Sequence, residues 1–209
     1  MIEFPHLKIY SGGRAPNPRR VQIFLAEKNI TVPTEQIDIN TLEQRSAEFR
    51  KINPLARLPV LVLEDGAAIS ESVAICRYFE EMVPDPALFG RRPEGKAIVE
   101  MWQRRVELGF MMPVAAAFRH LHPGAAHLES PQIAEWGKVN QPRAREFMEF
   151  LDEELAGREF VAGGDFSIAD ITTFISYQFL KPARIGYPED LPNLQRWFQD
   201  ISQRPSTLL

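Results

Sequence analysis

Between a short alternating stretch and the first amphipathic one lies Arg14-Ala15-Pro16-Asn17-Pro18-Arg19-Arg20-Val21, a run suited to handling an anion. A helix beginning here points unpaired N–H groups and the positive end of its dipole at whatever precedes it, and that end favours anions, a thiolate among them. A free cysteine thiol has a pKa of about 8.5, and lowering it by roughly two units takes about 2.7 kcal/mol of differential stabilisation. One carboxamide N–H or hydroxyl added to a helix end is a source of that size. Asn17 also reads as a plain helix cap, a role Asn fills well, and the two roles are compatible. Leu58-Pro59 stands immediately before an apolar run. If that bond is cis, the backbone there is open to an extended peptide that pairs like an added strand, although trans is the commoner state of an X–Pro bond. Glu71-Ser72 falls at a helix start, where N–H groups and the Ser72 hydroxyl can grip a carboxylate and Glu71 can accept from an ammonium. A plain helix start explains the same pair.

The elements that must position these residues change period several times within the first eighty. Leu7-Lys8-Ile9-Tyr10 alternates as a half-buried strand, ended by Ser11-Gly12-Gly13. A helix follows from Asn17-Pro18, where Pro suits the first turn because its missing N–H would have no partner there. Residues 32–39 read as a second strand and residues 42–52 as a short surface helix. The apolar run Pro59-Val60-Leu61-Val62-Leu63 reads as a buried strand, with Asp65-Gly66 as hairpin turn and Ala67-Ala68-Ile69 as the return. A further helix starts at Ser70-Glu71-Ser72. Two parallel strands joined by a right-handed crossover, plus an antiparallel hairpin, make a small mixed sheet.

Prolines 84, 86 and 93 with glycines 90 and 95 mark a linker. No strand pattern follows it. Helices are expected from Ile98 to about His120, from Ile133 to Leu155 with a break or kink at Pro142, from Ser167 to Leu180, and from Leu191 to Ser202. The expected organisation is an α/β domain over residues 1–83, a linker over 84–95 and an all-α helical bundle over 96–209.

With 24 Lys+Arg against 28 Asp+Glu the net charge is -4, which argues against non-specific nucleic-acid binding. No stretch approaches the roughly 20 apolar residues of a membrane helix, and the first residues lack the pattern of a signal peptide. The single cysteine, Cys76, excludes an internal disulfide and lies on an apolar helical face as a structural thiol. His120, His122 and His127 follow no recognised metal-ligand spacing, so no metal is expected. These features together read as a reduced, cytoplasmic protein.

Asn53-Pro54-Leu55-Ala56-Arg57-Leu58-Pro59-Val60-Leu61 and Ile69-Ser70-Glu71-Ser72-Val73-Ala74-Ile75 together resemble the glutathione-site signature of the cytosolic glutathione S-transferase family. Pro16-Asn17-Pro18-Arg19-Arg20-Val21 is similar to the start of that family's first helix, and Phe166-Ser167-Ile168-Ala169-Asp170 resembles its helical-domain capping motif. The four pieces occur in order and in register over nearly the whole chain.

The resemblance implies a thioredoxin-like N-terminal domain, an all-α C-terminal domain, a cytosolic homodimer, a detoxification role, and glutathione as co-substrate with no tightly bound cofactor. It implies a cis bond at Leu58-Pro59, the Leu58 backbone paired to the cysteinyl part of glutathione, Glu71 and Ser72 at the γ-glutamyl end, and Arg57 near the glycyl end. Ser167 and Asp170 would form a capping box, a folding device. Many members place a catalytic Ser or Cys four residues before the first Arg of this helix, and here that slot holds Ala15, whose methyl cannot donate to a thiolate. The Ala-Pro-Asn arrangement resembles a branch in which the Asn contacts the sulfur. Asn17 is therefore the expected donor, with Ser11 second and Tyr10 last.

Met101, Trp102, Arg105, Phe110, Met111, Met112 and Phe118 are bundle core in part, with Met101, Arg105 and Met112 the expected wall of a second-substrate pocket. Arg14, Arg19 and Arg20 either attract anionic glutathione or form a solvated helix end. The expected activity is attack of the activated thiol on an electrophile. Glutathione-dependent disulfide or peroxide reduction, or a non-catalytic glutathione- or protein-binding module, are the alternatives that Ala15 raises.

Overall fold

Two-residue strand β1 (Ile2–Glu3) opens the chain, followed by β2 (Lys8–Ser11) and helix α1 (Pro16–Glu27). The structure, a computed structural model, describes residues 1–208. Prolines at 16 and 18 start α1 without cost because first-turn N–H groups lack helical partners anyway. β3 (Ile30–Thr31) pairs in parallel with β1, and β4 (Thr34–Gln36) in parallel with β2. The strand expected over residues 32–39 is thus only three residues long. Pro33, which has no N–H to give a ladder, lies just before it and accepts from the Ile9 N–H at 2.9 Å.

The helix expected over residues 42–52 is divided at Ser46, whose Oγ accepts from the Phe49 N–H at 3.1 Å. A 3-10 turn, Glu43–Arg45, precedes it, and α2 (Ala47–Ile52) follows. β5 (Val60–Val62) and β6 (Ala68–Ser70) form the hairpin, and α3 (Ser72–Met82) leads out of it. The four-stranded sheet runs β4-β2-β5-β6, with β5 antiparallel to both neighbours. Helices α1 and α3 pack on each other, and their ends are tied by a buried pair, Lys28 Nζ to Glu80 Oε2 at 2.7 Å. Lys28 Nζ also donates to the Val83 and Pro86 carbonyls at 2.7 Å, which satisfies the end of α3. Tyr10 turns toward α2, edge-on to Phe49 in a cluster with Ile37 and Val60.

The chain divides into compact units at residues 1–87 and 88–208. Leu88 and Phe89 are buried in the second unit, and its first helix, α4 (Pro93–Val106), begins inside the stretch read as linker. A π-helical turn, Glu107–Met111, joins α4 to α5 (Met112–Leu121). Pro113 cannot donate to the preceding turn, and widening the helix by one residue, with the Met112 N–H reaching back to the Glu107 carbonyl, accommodates it. Gly109 lies in that turn, where a Cβ would stand 2.4 Å from the Phe147 ring.

Helix α6 (Ala134–Leu155) runs through Pro142 without a break, so of the break or kink expected there the break does not occur. Pro142 and Lys138, whose carbonyl loses its partner, are both exposed, so water replaces the missing bond. α7 (Ile168–Gln178) is buried from Ile168 to Tyr177, and α8 (Pro192–Ser202) completes the unit. The hydroxyls of Thr172, Thr173 and Ser176 bond carbonyls one turn back, which is how a helix with polar residues stays buried. No helix among the described residues is long and apolar enough to cross a membrane.

Candidate glutathione site

Sheet register brings three separate segments of the first unit to one edge. Tyr10 stands opposite Val60, and Val60 opposite Ser70. The residues one step on, Ser11-Gly12, Leu58-Pro59 and Glu71-Ser72, therefore leave the sheet together. A Cβ on Gly12 would lie 3.2 Å from Leu58 Cδ1 and 3.0 Å from Ile39 Cγ2, so only glycine lets the two loops approach this closely. The Leu58-Pro59 bond is cis. Leu58 has no backbone hydrogen bond to another described residue, which leaves an extended edge of one residue open.

At the start of α1 the cap is Ala15, which offers no side-chain bond. Asn17 does not cap the helix. It lies in the first turn, exposed, and its Oδ1 accepts from Arg20 Nη1 at 3.1 Å. Prolines 16 and 18 remove two N–H groups from this end, and the Arg19 N–H is bonded to the Ala15 carbonyl. The Asn17 backbone N–H and its carboxamide nitrogen remain as donors, without partners among the described residues. Ser11, by contrast, is buried, and its Oγ has no hydrogen-bond partner. Burial of Arg19 and the charge of exposed Arg14 hold the Arg19 pKa below its ordinary value, so this helix end is locally cationic.

Glu71 is exposed and holds φ at 70°, a region costly for a side-chain-bearing residue by about 1–3 kcal/mol and found at ligand clamps. Ser72 is the first residue of α3 and is buried, its Oγ accepting from Arg20 Nη1 at 2.5 Å. Arg20 itself is 1% exposed. Of the three arginines read as an anion lure or solvated end, it is neither: one Nη1 reaches both Asn17 and Ser72. Arg57 is exposed, in a loop clamped by Asn53, whose Nδ2 donates to the Arg57 carbonyl at 2.9 Å and whose Oδ1 accepts from the Leu55 N–H at 3.1 Å. Asn53 and Gln36, which accepts from the Gly13 N–H at 3.0 Å, are supports that residue-type reasoning passed over. The only trace of either in the sequence is the Asn53-Pro54 turn signal.

The Tyr10 side chain packs in the α2 cluster, edge-on to Phe49. Cys76 is fully buried, and burial pushes its thiol far above the ordinary range. His120 and His122 accept through Nδ1 from the N–H groups of Ile133 and Gly124, as local backbone fasteners.

In the second unit a cavity of about 560 Å³ opens along the π-turn, α5 and α6, with Leu108, Met112, Trp136, Arg143 and Phe147 on its wall. Of Met101, Arg105 and Met112, the residues expected at a second-substrate pocket, only Met112 lines this cavity. Met101 is exposed on α4, and Arg105 lies over the Trp102 ring at 5.0 Å. Helical phase alone does not say which side of α4 meets a neighbour. Phe110 is fully buried and belongs to the core.

Comparison with known proteins covers nearly the whole chain. A family model described as glutathione S-transferase, N-terminal domain, matches residues 15–82, and one described as glutathione S-transferase, C-terminal domain, matches residues 126–205. Glutathione S-transferase 2 of Saccharomyces cerevisiae is 36% identical over 201 residues, covering 95% of this chain and 86% of that one. A solved glutathione S-transferase domain-containing protein of Marinobacter aquaeolei VT8 superposes with a TM-score of 0.92 at 38% identity, covering 96% of this chain and 99% of the other. Gtt2 of Saccharomyces cerevisiae does so with 0.91 at 35%, covering 96% and 98%.

Proposed function

The chain belongs to the glutathione S-transferase family, and from that premise we propose that its first unit holds glutathione along the edge described above and delivers the thiolate to an electrophile. The observation that carries this reading is the meeting of Leu58 and Ser72 at one sheet edge, with Asn17 of α1 joined to Ser72 by one buried guanidinium. Ser72 and the start of α3 take the γ-glutamyl carboxylate, and Glu71 takes its ammonium. The Leu58 backbone pairs with the cysteinyl residue, and Arg57 faces the glycyl carboxylate. Ala15 leaves room for the sulfur without donating to it, and Asn17 supplies the donors, from backbone and carboxamide. Ser11, buried one step behind, is the reserve donor.

No bound metal or redox group takes part. Once the thiol has lost its proton, the sulfur forms a bond to the electrophilic carbon and the leaving group departs with the electron pair. Proximity and thiolate stabilisation supply the catalysis, because the sulfur is intrinsically nucleophilic. The cavity beside Met112, of a volume that suits a small apolar molecule, is the acceptor pocket in this reading. Conjugation is favoured over disulfide or peroxide reduction and over a non-catalytic module. A cytosolic homodimer that clears reactive electrophiles is the setting we propose.

The test is an ultraviolet titration of bound glutathione from pH 5 to 9. A thiolate midpoint clearly below that of free glutathione is expected, with turnover on several electrophiles. Binding with an unshifted midpoint would move the non-catalytic module ahead.

A further inference from the structure

We propose that Arg20 is a positioning residue for glutathione activation, its single buried guanidinium turning both Asn17 and Ser72 into outward donors. The proposal rests on the glutathione reading given above and adds to it a component that touches no substrate.

A guanidinium donates and never accepts. The atom of Asn17 that faces Arg20 Nη1 must therefore be the carbonyl oxygen, found at 3.1 Å, so the carboxamide N–H groups are directed away from the guanidinium. Ser72 Oγ, 2.5 Å from the same Nη1, is likewise held as an acceptor, which leaves its own hydroxyl proton for another oxygen. Without this cation, an asparagine amide is free to turn its oxygen outward and a serine its lone pairs. Either orientation repels an anion.

Arg20 thus selects the donating arrangement at two points of one ligand. Asn17 stands at the thiol end and Ser72 at the γ-glutamyl end. Burial of the guanidinium, at 1% exposure, keeps its field undiluted by water and makes both bonds charge-assisted. Orienting the groups in advance also removes the reorganisation that a binding anion would otherwise have to drive.

The experiment compares Arg20→Met, Arg20→Lys, Asn17→Ala, Ser72→Ala and the double variant Arg20→Met/Asn17→Ala. It reads glutathione Kd by calorimetry and the bound-thiol pKa by ultraviolet titration. Arg20→Met should change both quantities, weakening binding roughly tenfold and raising the thiol pKa by about one unit, the size expected for lost charge-assisted bonds. Asn17→Ala should move mainly the pKa and Ser72→Ala mainly the Kd. The double variant should have the thiol pKa of Arg20→Met alone, since Arg20 acts on the sulfur through Asn17. Arg20→Lys retains a donor-only cation and should recover part of both losses. It is also the reading to use if the methionine variant does not fold.

Three outcomes overturn the inference: wild-type Kd and thiol pKa in a folded Arg20→Met protein, additive pKa shifts in the double variant, or an Arg20→Lys protein that folds and binds glutathione yet shows the full loss of both quantities. If wild-type protein itself binds glutathione with an unshifted pKa, the glutathione-activation reading fails instead, and the two failures remain distinct.

Discussion

Asn17 and Ser72 accept from the same nitrogen, yet their removal should have different consequences because one is exposed and the other buried. Ser72→Ala leaves a buried guanidinium short of an acceptor, and an unsatisfied buried donor costs about 1–3 kcal/mol. A lower Tm and a weaker glutathione Kd are therefore expected together. Asn17→Ala removes a solvent-facing group, so stability should change by less than about 0.5 kcal/mol, as at surface positions generally. Its effect should fall on the bound thiolate, with the pH–rate profile displaced upward by about one unit. An unchanged profile in Asn17→Ala would remove that residue from the donor role and leave the Ser11 hydroxyl next in order.

Helix α7 shows how an element with little amphipathic contrast is held in place. Its start is a capping box in which Ser167 and Asp170 bond reciprocally. Asp170 does more than cap: its carboxylate accepts from the Val161 and Ser167 N–H groups, the Ser167 hydroxyl and the Trp197 indole. Four donors lower its pKa, but complete burial outweighs them and pushes the carboxyl up to about 6. In the unfolded chain the group titrates near 3.8. Between those values the folded state binds the extra proton, so this residue's contribution is full below pH 3.8 and is lost as pH rises through 6. The stability of wild-type protein relative to Asp170→Asn should accordingly fall between pH 4 and 6, by at most about 1.4 kcal/mol per pH unit. Denaturant unfolding at a series of pH values reads that slope, and a flat difference would show that the four donors dominate.

At the scale of the molecule, the first unit carries the edge proposed to hold glutathione, and the second carries the apolar cavity on its α5–α6 face. Assembly as a homodimer should appear as twice the chain mass in sedimentation equilibrium at micromolar concentration. A single-chain mass there would limit the family's expected assembly to higher concentrations or remove it. The fold order follows closely from local pattern. Alternation at Lys8-Ile9-Tyr10, the Asp65-Gly66 turn, and Ser167 ahead of an apolar run each identify an element by themselves. β1 and β3 gave no such signal, because two-residue strands exist only through their pairing with each other. Pro113 forbids a regular turn before it, but local pattern does not say that a π-turn rather than a break accommodates it.

The sequence by itself determined the family, the order of strands and helices, and the presence of Ala15 where a hydroxyl or thiol usually stands, with Asn17 two residues on. Those are properties of residue type, spacing and short-range period, all carried by neighbours within a turn or two. What Asn17 does there was decided by the tertiary structure. It is no cap, because Ala15 occupies that position, and its oxygen is claimed by Arg20. Arg20 looks like a solvated helix end until α1 and α3 pack and bring it to Ser72, 52 residues away. Burial and hydrogen-bond direction are set by such long-range partners, and they decide whether a polar group presents a proton or a lone pair to an anion.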